Sequence, residues 1–519
     1  MTWSFINFRA DAALAFGIVL LVQMARIGFL FLQDDAKLVT MIPDDAFYYF
    51  VLARNFATSG IWSFDAAAPA TGFHLLWAYL LAGAHWLVGA PELRTLFVVG
   101  ASAGAVLVAA AAGLVAATAR RSFGPAGALG TIVAFLSFAG AQQPTLLVEA
   151  PFVVAIAAAM IALMLRRDVP ADRGTLLAAF GLGFAGMMAR SDFGLLPAGI
   201  LAAHAVAYLR GLGRRTALMA PASGFAGAVT GLAVVLLHAW LVSGTGLQAS
   251  ADIKFHWSAL AGHPLSSGLT VLAQTVLPTA PRGSWSWSLL FLILFAGACA
   301  LVSWRDWAER AHSAVFSLAM AGVVAAYVFY FRYNSQALQI WYAANLMVPA
   351  AFLLGGALAV LFGRLRPLGL ACLGVLAGLC LLTSTRPVWP WQVSTYHAGL
   401  FLRQNPAISP VAAWNAGMVA YFAQRPVINI DGLVNDDVVP YVKADDLVGY
   451  LNARAVRYLV DSTSMFKGRK LVRGGYGDGR LESCIKARQP LVAETAGYEE
   501  RDSLLLTLNQ ACLNRASGA

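Results

Sequence analysis

Two adjacent acids, Asp44 and Asp45, lie in Met41-Ile42-Pro43-Asp44-Asp45-Ala46-Phe47-Tyr48-Tyr49-Phe50, just beyond a first apolar segment and ahead of an aromatic-rich run. Ionised groups beside hydrocarbon are costly, so a pair placed at a bilayer surface marks a candidate reaction centre. Crowding two like charges raises one pKa towards neutrality, which suits one acid to general-base work while the other orients it or binds hydroxyls. The competing reading is a helix N-cap for the aromatic run, a role that needs only one of the two acids. Asp34-Asp35 is nearer the membrane exit and lacks a following aromatic run, so solvation is its expected role.

Other polar residues stand out against the same apolar background. His74, in Thr71-Gly72-Phe73-His74-Leu75, follows a turn and is either a ligand contact beside the acid pair or structural. Glu149 opens an apolar span, where an unpaired carboxylate would cost several kcal/mol, so it needs a partner or a substrate. Arg190 and Asp192 stand at a span end, as a mutual ion pair or as substrate contacts. Lys254, in a long polar loop, is either a phosphate-holding ammonium or a snorkelling lysine. Arg332 is a second candidate phosphate partner, and Trp341-Tyr342 bracket the same loop as interfacial anchors, with Tyr342 also a candidate substrate contact.

The elements that must carry these residues follow from composition. The chain has 519 residues, 59% hydrophobic and 12% charged, with mean hydropathy +0.68. No soluble core absorbs that much apolar surface, so a multi-span membrane protein is required. The net charge of +10 does not point to nucleic acid, because arginines cluster in short connectors: Arg120-Arg121, Arg166-Arg167 with Arg173, Arg210 with Arg214-Arg215, Arg305 with Arg310, and Arg364 with Arg366. That is the positive-inside pattern, which assigns these connectors to the cytoplasmic side. Apolar runs at Ala12–Leu32, Phe97–Ala117, Ala128–Ala141, Ala150–Leu165, Leu176–Met188, Phe193–Tyr208, Ala217–Val242, Leu289–Val302, Ala314–Phe331, Ala343–Leu361 and Pro367–Leu382 predict about eleven spans. The first reads as an anchor, not a removed signal peptide, since no small-residue cleavage site follows it. Phe73–Val88 is read as a surface-lying or re-entrant helix, because a full crossing would move every later arginine cluster to the other side. The N-terminus is then cytoplasmic, and the candidate polar residues share the external face. No internal repeat or paired Gly/Pro break is evident, which counts against a repeat-built transporter.

After Leu382 the character changes, and Pro387, Pro390 and Trp391 mark an exit from the membrane. The runs Pro426–Ile430 and Ala455–Val460 favour β structure, and a helix is expected near Asp446–Leu451, so residues 386–519 predict a small external α/β domain after a membrane domain of residues 1–385. Gly474-Gly475-Tyr476-Gly477-Asp478-Gly479 lacks the Lys-Ser/Thr ending of a phosphate loop and reads as a turn. Of five cysteines, Cys299, Cys372 and Cys380 lie in apolar spans as small hydrophobes. Cys484 and Cys512 are positioned to pair if the tail faces an oxidising compartment, and otherwise remain thiols.

The order of these motifs resembles the GT-C superfamily of glycosyltransferases, polytopic enzymes that use polyprenyl-phosphate sugars, including protein O-mannosyltransferases, aminoarabinose transferases and arabinofuranosyltransferases. The resemblance is carried by Asp44-Asp45 followed by Tyr48-Tyr49 and Ala53-Arg54-Asn55, then Thr71-Gly72-Phe73-His74 with Leu76-Trp77, Val148-Glu149-Ala150, Ala189-Arg190-Ser191-Asp192 and Trp341-Tyr342. The tail segments Ala413–Gly417 and Asn429–Asn435 resemble the external domain of a bacterial subgroup. The resemblance implies a GT-C-like polytopic α-helical fold with interfacial helices in the first external loop. It also implies an inner-membrane enzyme with a periplasmic active site, and Asp44 as catalytic base. The implied reaction is inverting transfer of a sugar from a polyprenyl-phosphate donor to a hydroxyl on a glycan, lipid or protein acceptor. For that reaction Asp45 and Glu149 are assigned to acceptor or network binding and Lys254 with Arg190 or Arg332 to the departing phosphate, with His74, Asp192 and Tyr342 as further candidate substrate contacts. No cofactor is required; a divalent metal held by Asp44, Asp45 and Glu149 is an option that their spacing does not demand. The rival class is a transporter or lipid flippase using its carboxylates for ion coupling, which would favour acids at mid-span.

Overall fold

The structure, a computed structural model, describes residues 2–276 (save 90 and 166–168), 311–362 (save 337), isolated positions between 371 and 382, and 386–516 (save 467–473, 475, 477–478 and 492–496). Five helices there are long and apolar enough to cross a membrane: Ala10–Phe31, Leu93–Phe123, Arg215–Ser243, Ala314–Asn334 and Ile340–Ala359. Pro125–Phe135 and Phe138–Leu146, bent by 61° at their junction, make a sixth crossing if counted as one broken span. Ala150–Met164, Arg173–Ala189 and Leu195–Leu209 are apolar but shorter; 15 residues of helix rise only about 22 Å against roughly 30 Å of hydrocarbon. The spans expected at Leu289–Val302 and over most of Pro367–Leu382, with Cys299, Cys372 and Cys380, lie outside the described residues, so the structure sets no total of eleven.

The chain divides into two compact units. One comprises Met1–Leu32, Thr95–Val235 and Pro264–Arg386; the other gathers Gln33–Arg94, Leu236–His263 and Pro387–Ala519. In the first unit, Arg26 of the first span is buried and explains how the broken span is held. Its guanidinium donates to the Ala141 carbonyl at 2.5 Å, to Thr145 Oγ1 at 2.7 Å and to Gln142 Oε1, while Gln23 Nε2 donates to the Gly140 carbonyl at 3.1 Å. Irregular backbone at membrane depth is tolerated only where protein groups satisfy it, and one arginine here meets several free acceptors at once. Helices Arg173–Ala189 and Met219–Ser243 meet along Gly183 and Gly224, small residues that let two backbones approach without a hydrophobic driving force.

The second unit is built on a five-stranded mixed sheet of β1 (Val411–Ala413), β2 (Ile428–Asn429), β3 (Tyr458–Ser462), β4 (Ile485–Pro490) and β5 (Ser503–Leu508), in the order β2-β1-β3-β5-β4. β1 is parallel to β2 and β3, and β5 is antiparallel to β3 and β4. The crossover from β1 to β2 is the helix Ala416–Ala423, so the two strands place their carboxyl ends, Trp414-Asn415 and Ile430-Asp431, beside each other. The expected β2, β3 and the helix near Asp446 are present, the last as Leu447–Ala453 capped by Asp446. β1, β4 and β5 were not foreseen, β1 because it is only three residues long and β4 because most of its residues are exposed. Cys484 and Cys512 form a disulfide with Cα atoms 5.3 Å apart, which resolves the open alternative in favour of pairing. Gly474 and Gly479 both hold positive φ, as a turn requires; Gly475, Gly477 and Asp478 lie outside the described residues.

The first loop belongs to this same unit. Leu75–Val88, a 14-residue helix, packs with Asp44–Ser59 and leaves Trp86 76% exposed. Arg454 ties the loop to the tail through Asp65 at 2.6 Å and Asp437 at 2.5 Å, and Ala70 forms a β-bridge with Asn435.

Candidate active site

Pro43 enters the helix Asp44–Ser59 in an extended conformation, and both acids fall in its first turn, where the helix dipole favours negative charge. Neither acid caps that helix through its side chain, contrary to the capping alternative. Asp44 instead reaches a different helix. Its Oδ1 accepts the Met418 N–H at 2.7 Å and its Oδ2 the Gly417 N–H at 3.2 Å, at the start of Ala416–Ala423. Asn415, at that helix's own N-cap, makes no side-chain bond, so the remote carboxylate fills the vacant capping role. A Cβ on Gly417 would collide with the Asp44 carbonyl, so only glycine allows this approach. Burial lifts the Asp44 pKa to about 7, with the Met418 N–H opposing and the Asp45 charge adding. Asp44 is therefore half-buried, oriented by backbone dipoles and poised near neutrality.

One helical turn on, Tyr48 links this carboxylate to a second buried acid. Its hydroxyl donates to Asp431 Oδ2 at 2.7 Å and accepts from the Ala416 N–H and Asn429 Nδ2, each at 3.2 Å. Asp431 is 1% exposed, and its Oδ1 accepts the Leu433 N–H at 2.7 Å. Burial pushes Asp431 up to about 7 against these hydrogen bonds, and pushes the Tyr48 phenol well above its ordinary value, reinforced by the Asp431 and Asp44 charges. Tyr48 thus stays protonated as a donor. Neither residue was assigned a role from sequence. The available signal was Asp431 directly after the buried run Val427–Ile430, an acid with no surface reason to be there.

His74 and Lys254 share the unit. A Cβ on Gly72 would overlap the Leu433 carbonyl, and Thr71 donates from N and Oγ1 to Asp436 at 3.0 and 2.8 Å, so the turn preceding His74 is clamped to the segment after β2. His74 opens Leu75–Val88, and its N–H donates to the Tyr49 hydroxyl at 3.2 Å. Lys254 lies on Ala249–Leu260; Ile253 of that helix packs near Gly432, and Trp257 stacks on Trp414 with centroids 6.0 Å apart. Asp34 caps Asp35–Val39 by accepting the Lys37 N–H at 2.7 Å, and Asp35 pairs with Arg94 at 2.8 Å, so this second acidic pair is structural.

The remaining candidates are in the first unit. Arg190, at the end of Arg173–Ala189, donates to Glu149 at 2.7 Å and to both oxygens of Asp192 at 3.0 and 2.9 Å. Its guanidinium lies 4.5 Å over the Tyr342 ring, and Asn345 Nδ2 donates to Asp192 Oδ1 at 2.8 Å. Glu149 thus has the partner its position demands, and Tyr342, only 4% exposed, packs under an arginine instead of anchoring at an interface. Trp341 is 6% exposed, so it too departs from the anchor expectation. Arg332 lies over Phe329 and Tyr333 at 4.9 and 5.4 Å.

No curated protein matches the chain by sequence. Residues 389–507 match a family described as a domain of unknown function (DUF8728). Among solved structures, ArnT from Cupriavidus metallidurans bound to undecaprenyl phosphate superposes with a TM-score of 0.54 and 14% identity, covering 95% of this chain and 97% of that one. The oligosaccharyltransferase of Archaeoglobus fulgidus in its apo form gives 0.56 at 14% identity over 96% of this chain and 76% of that one. AglB from the same archaeon, in complex with an inhibitory peptide and a dolichol-phosphate, gives 0.54 at 13% identity over 89% and 70%. The chain shares its fold with these ArnT and oligosaccharyltransferase structures.

Within this fold, Asp44, Asp45, His74 and Lys254 belong to one unit and Glu149, Arg190, Asp192, Arg332 and Tyr342 to the other. The metal option has no donor set among the described residues, where no group of three or more His, Cys, Asp or Glu is placed to hold an ion. Both Asp44 oxygens accept backbone N–H groups, a setting that orients a carboxylate and leaves its exposed lone pairs for a proton.

Proposed function

We propose that the chain is a membrane glycosyltransferase that moves a sugar from a polyprenyl-phosphate donor to an acceptor hydroxyl, with Asp44 as general base and inversion at the anomeric carbon. The observation that carries the reading is Asp44 itself: a carboxylate with a pKa near 7, fixed by the Gly417 and Met418 amides. A base of that strength takes the hydroxyl proton as the oxygen attacks, and the group is preorganised before substrate arrives. Lipid phosphate is a good leaving group, so charge neutralisation suffices and no general acid is needed; Lys254, in the same unit, is assigned to it. Tyr48 and Asp431 are positioning residues that hold the Asp44 helix against the strand ends. Glu149 and Asp192 are assigned to holding Arg190. The undecaprenyl phosphate and dolichol-phosphate bound in the ArnT and AglB structures support the donor class. We assign the active face to the periplasmic side of a bacterial inner membrane, opposite the arginine-rich connectors.

The test is incubation of purified protein with a panel of polyprenyl-phosphate sugars, scored for thermal stabilisation and then for sugar transfer. Asp44→Asn keeps an acceptor oxygen for the helix amides but not the base, so it is expected to fold and bind donor while transfer drops about 10²- to 10⁴-fold. Retained transfer in that variant would remove Asp44 from the chemistry. Ion or lipid flux in vesicles that depends on Asp44, without any sugar transfer, would favour the transporter reading.

A further inference from the structure

Beside the Asp44–Ser59 helix lies a cleft of about 400 Å³ lined by Arg54, Asn55, Phe64, Gln424, Arg425 and Pro426. Its size falls in the range of small-molecule sites, about 300–1,000 Å³. Two arginines line it and no carboxylate does. The Arg54 guanidinium makes no ion pair or hydrogen bond with any described residue, its carbonyl accepting only from Thr58 Oγ1 at 3.0 Å beyond its own helix's amides, and burial holds its pKa below the usual guanidinium value. Arg425 is anchored by two carbonyls, of Pro406 at 2.8 Å and Ile408 at 2.5 Å, which fix its plane without cancelling its charge. Its Nε is buried without a partner. Asn55 donates to the Ser63 and Phe64 carbonyls at 2.9 Å each and so stiffens the opposite wall. Partly desolvated cations are normally paired, and this arrangement holds two guanidinium groups ready for an anion that the chain does not supply.

We infer that this cleft binds an oxyanion, a phosphate or a carboxylate, carried by the acceptor. The inference rests on the glycosyltransferase reading only for the word acceptor. Arg54 stands ten residues after Asp44 on one helix, about 15 Å along its axis. An extended acceptor with its reacting hydroxyl at Asp44 would lay an acidic group in the cleft, and acceptors lacking that group would be discriminated against because two guanidinium groups are left unpaired.

Thermal unfolding of the purified full-length protein, with inorganic phosphate in one arm and glucuronate in the other and ionic strength matched with chloride, reads binding as a concentration-dependent rise in Tm. The wild type is expected to rise in at least one arm, and that arm identifies the anion. Arg54→Gln and Arg425→Gln should each shift the concentration dependence at least tenfold, with Arg54→Lys intermediate because it keeps charge but not the bidentate fork. If Arg54→Gln does not fold, Arg425→Gln and Arg54→Lys carry the same comparison. Polyprenyl phosphate should stabilise the arginine variants as it does the wild type. No rise in either arm, or equal rises in wild type and variants, overturns the cleft. An arginine-dependent anion effect in a protein that neither binds polyprenyl phosphate nor transfers sugar would leave the cleft standing and sink the transferase.

Discussion

Asp44 combines two properties that oppose each other: two backbone N–H groups favour its charged form, and burial disfavours it more strongly. Because the base must be deprotonated, kcat/KM is expected to rise with pH through an apparent pKa near 7 and to level off above it, measured in a pH series at saturating donor. Tyr48→Phe removes a hydroxyl whose presence beside Asp44 lowers its pKa, so the rise should move to higher pH. The same change should cost about tenfold in kcat, the worth of one buried hydrogen bond, with KM nearly unchanged. A profile with unaltered midpoint would show that Tyr48 acts on folding alone. The pair was legible from sequence because two acids interrupt an apolar chain, whereas Tyr48 and Asp431 were not, since 383 positions separate them and only the strand ends bring them together.

At the level of elements, the first unit relies on a buried ion cluster and the second on a clamped turn. Arg190→Met leaves Glu149 and Asp192 without the cation that both contact, and loss of one partner of a buried pair costs about 3–5 kcal/mol. A large fall in Tm, read against a conservative surface variant, is the expected outcome; an unchanged Tm would mean that the cluster contributes little to folding. Gly72→Ala drives a Cβ into the Leu433 carbonyl and should lower the yield of folded protein, whereas Gly83→Ala, inside Leu75–Val88 with open space around it, should leave that packing intact. Spans were readable wherever an apolar run was long enough. The break between Phe135 and Phe138 was not, because it depends on Arg26 and Gln23 arriving from another helix.

For the whole molecule, the disulfide and the buried acids set the response to conditions. Cys484 and Cys512 close a loop of sequence separation 28; replacing both by serine should cost roughly 3–4 kcal/mol through the freer unfolded chain, read as a lower Tm under oxidising conditions and no difference under reduction. Asp44 and Asp431 both titrate near 7 when folded, against 3.8 ordinarily, so the folded state holds protons that the unfolded state releases. Their contribution to stability is full below about pH 4 and is lost as pH rises to about 7; Asp44→Asn should flatten part of that fall in a Tm series. By itself, the sequence determined that the chain is polytopic, that its first loop carries two adjacent acids and that an α/β domain follows the spans. These depend on hydropathy and on short motifs, which are local. Only the tertiary structure decided that the tail and the first loop form one unit, that Asp44 takes the amides of a helix some 370 residues away, and that Arg190 is held by Glu149. Those are long-range hydrogen bonds and ion pairs, whose partners no local pattern specifies.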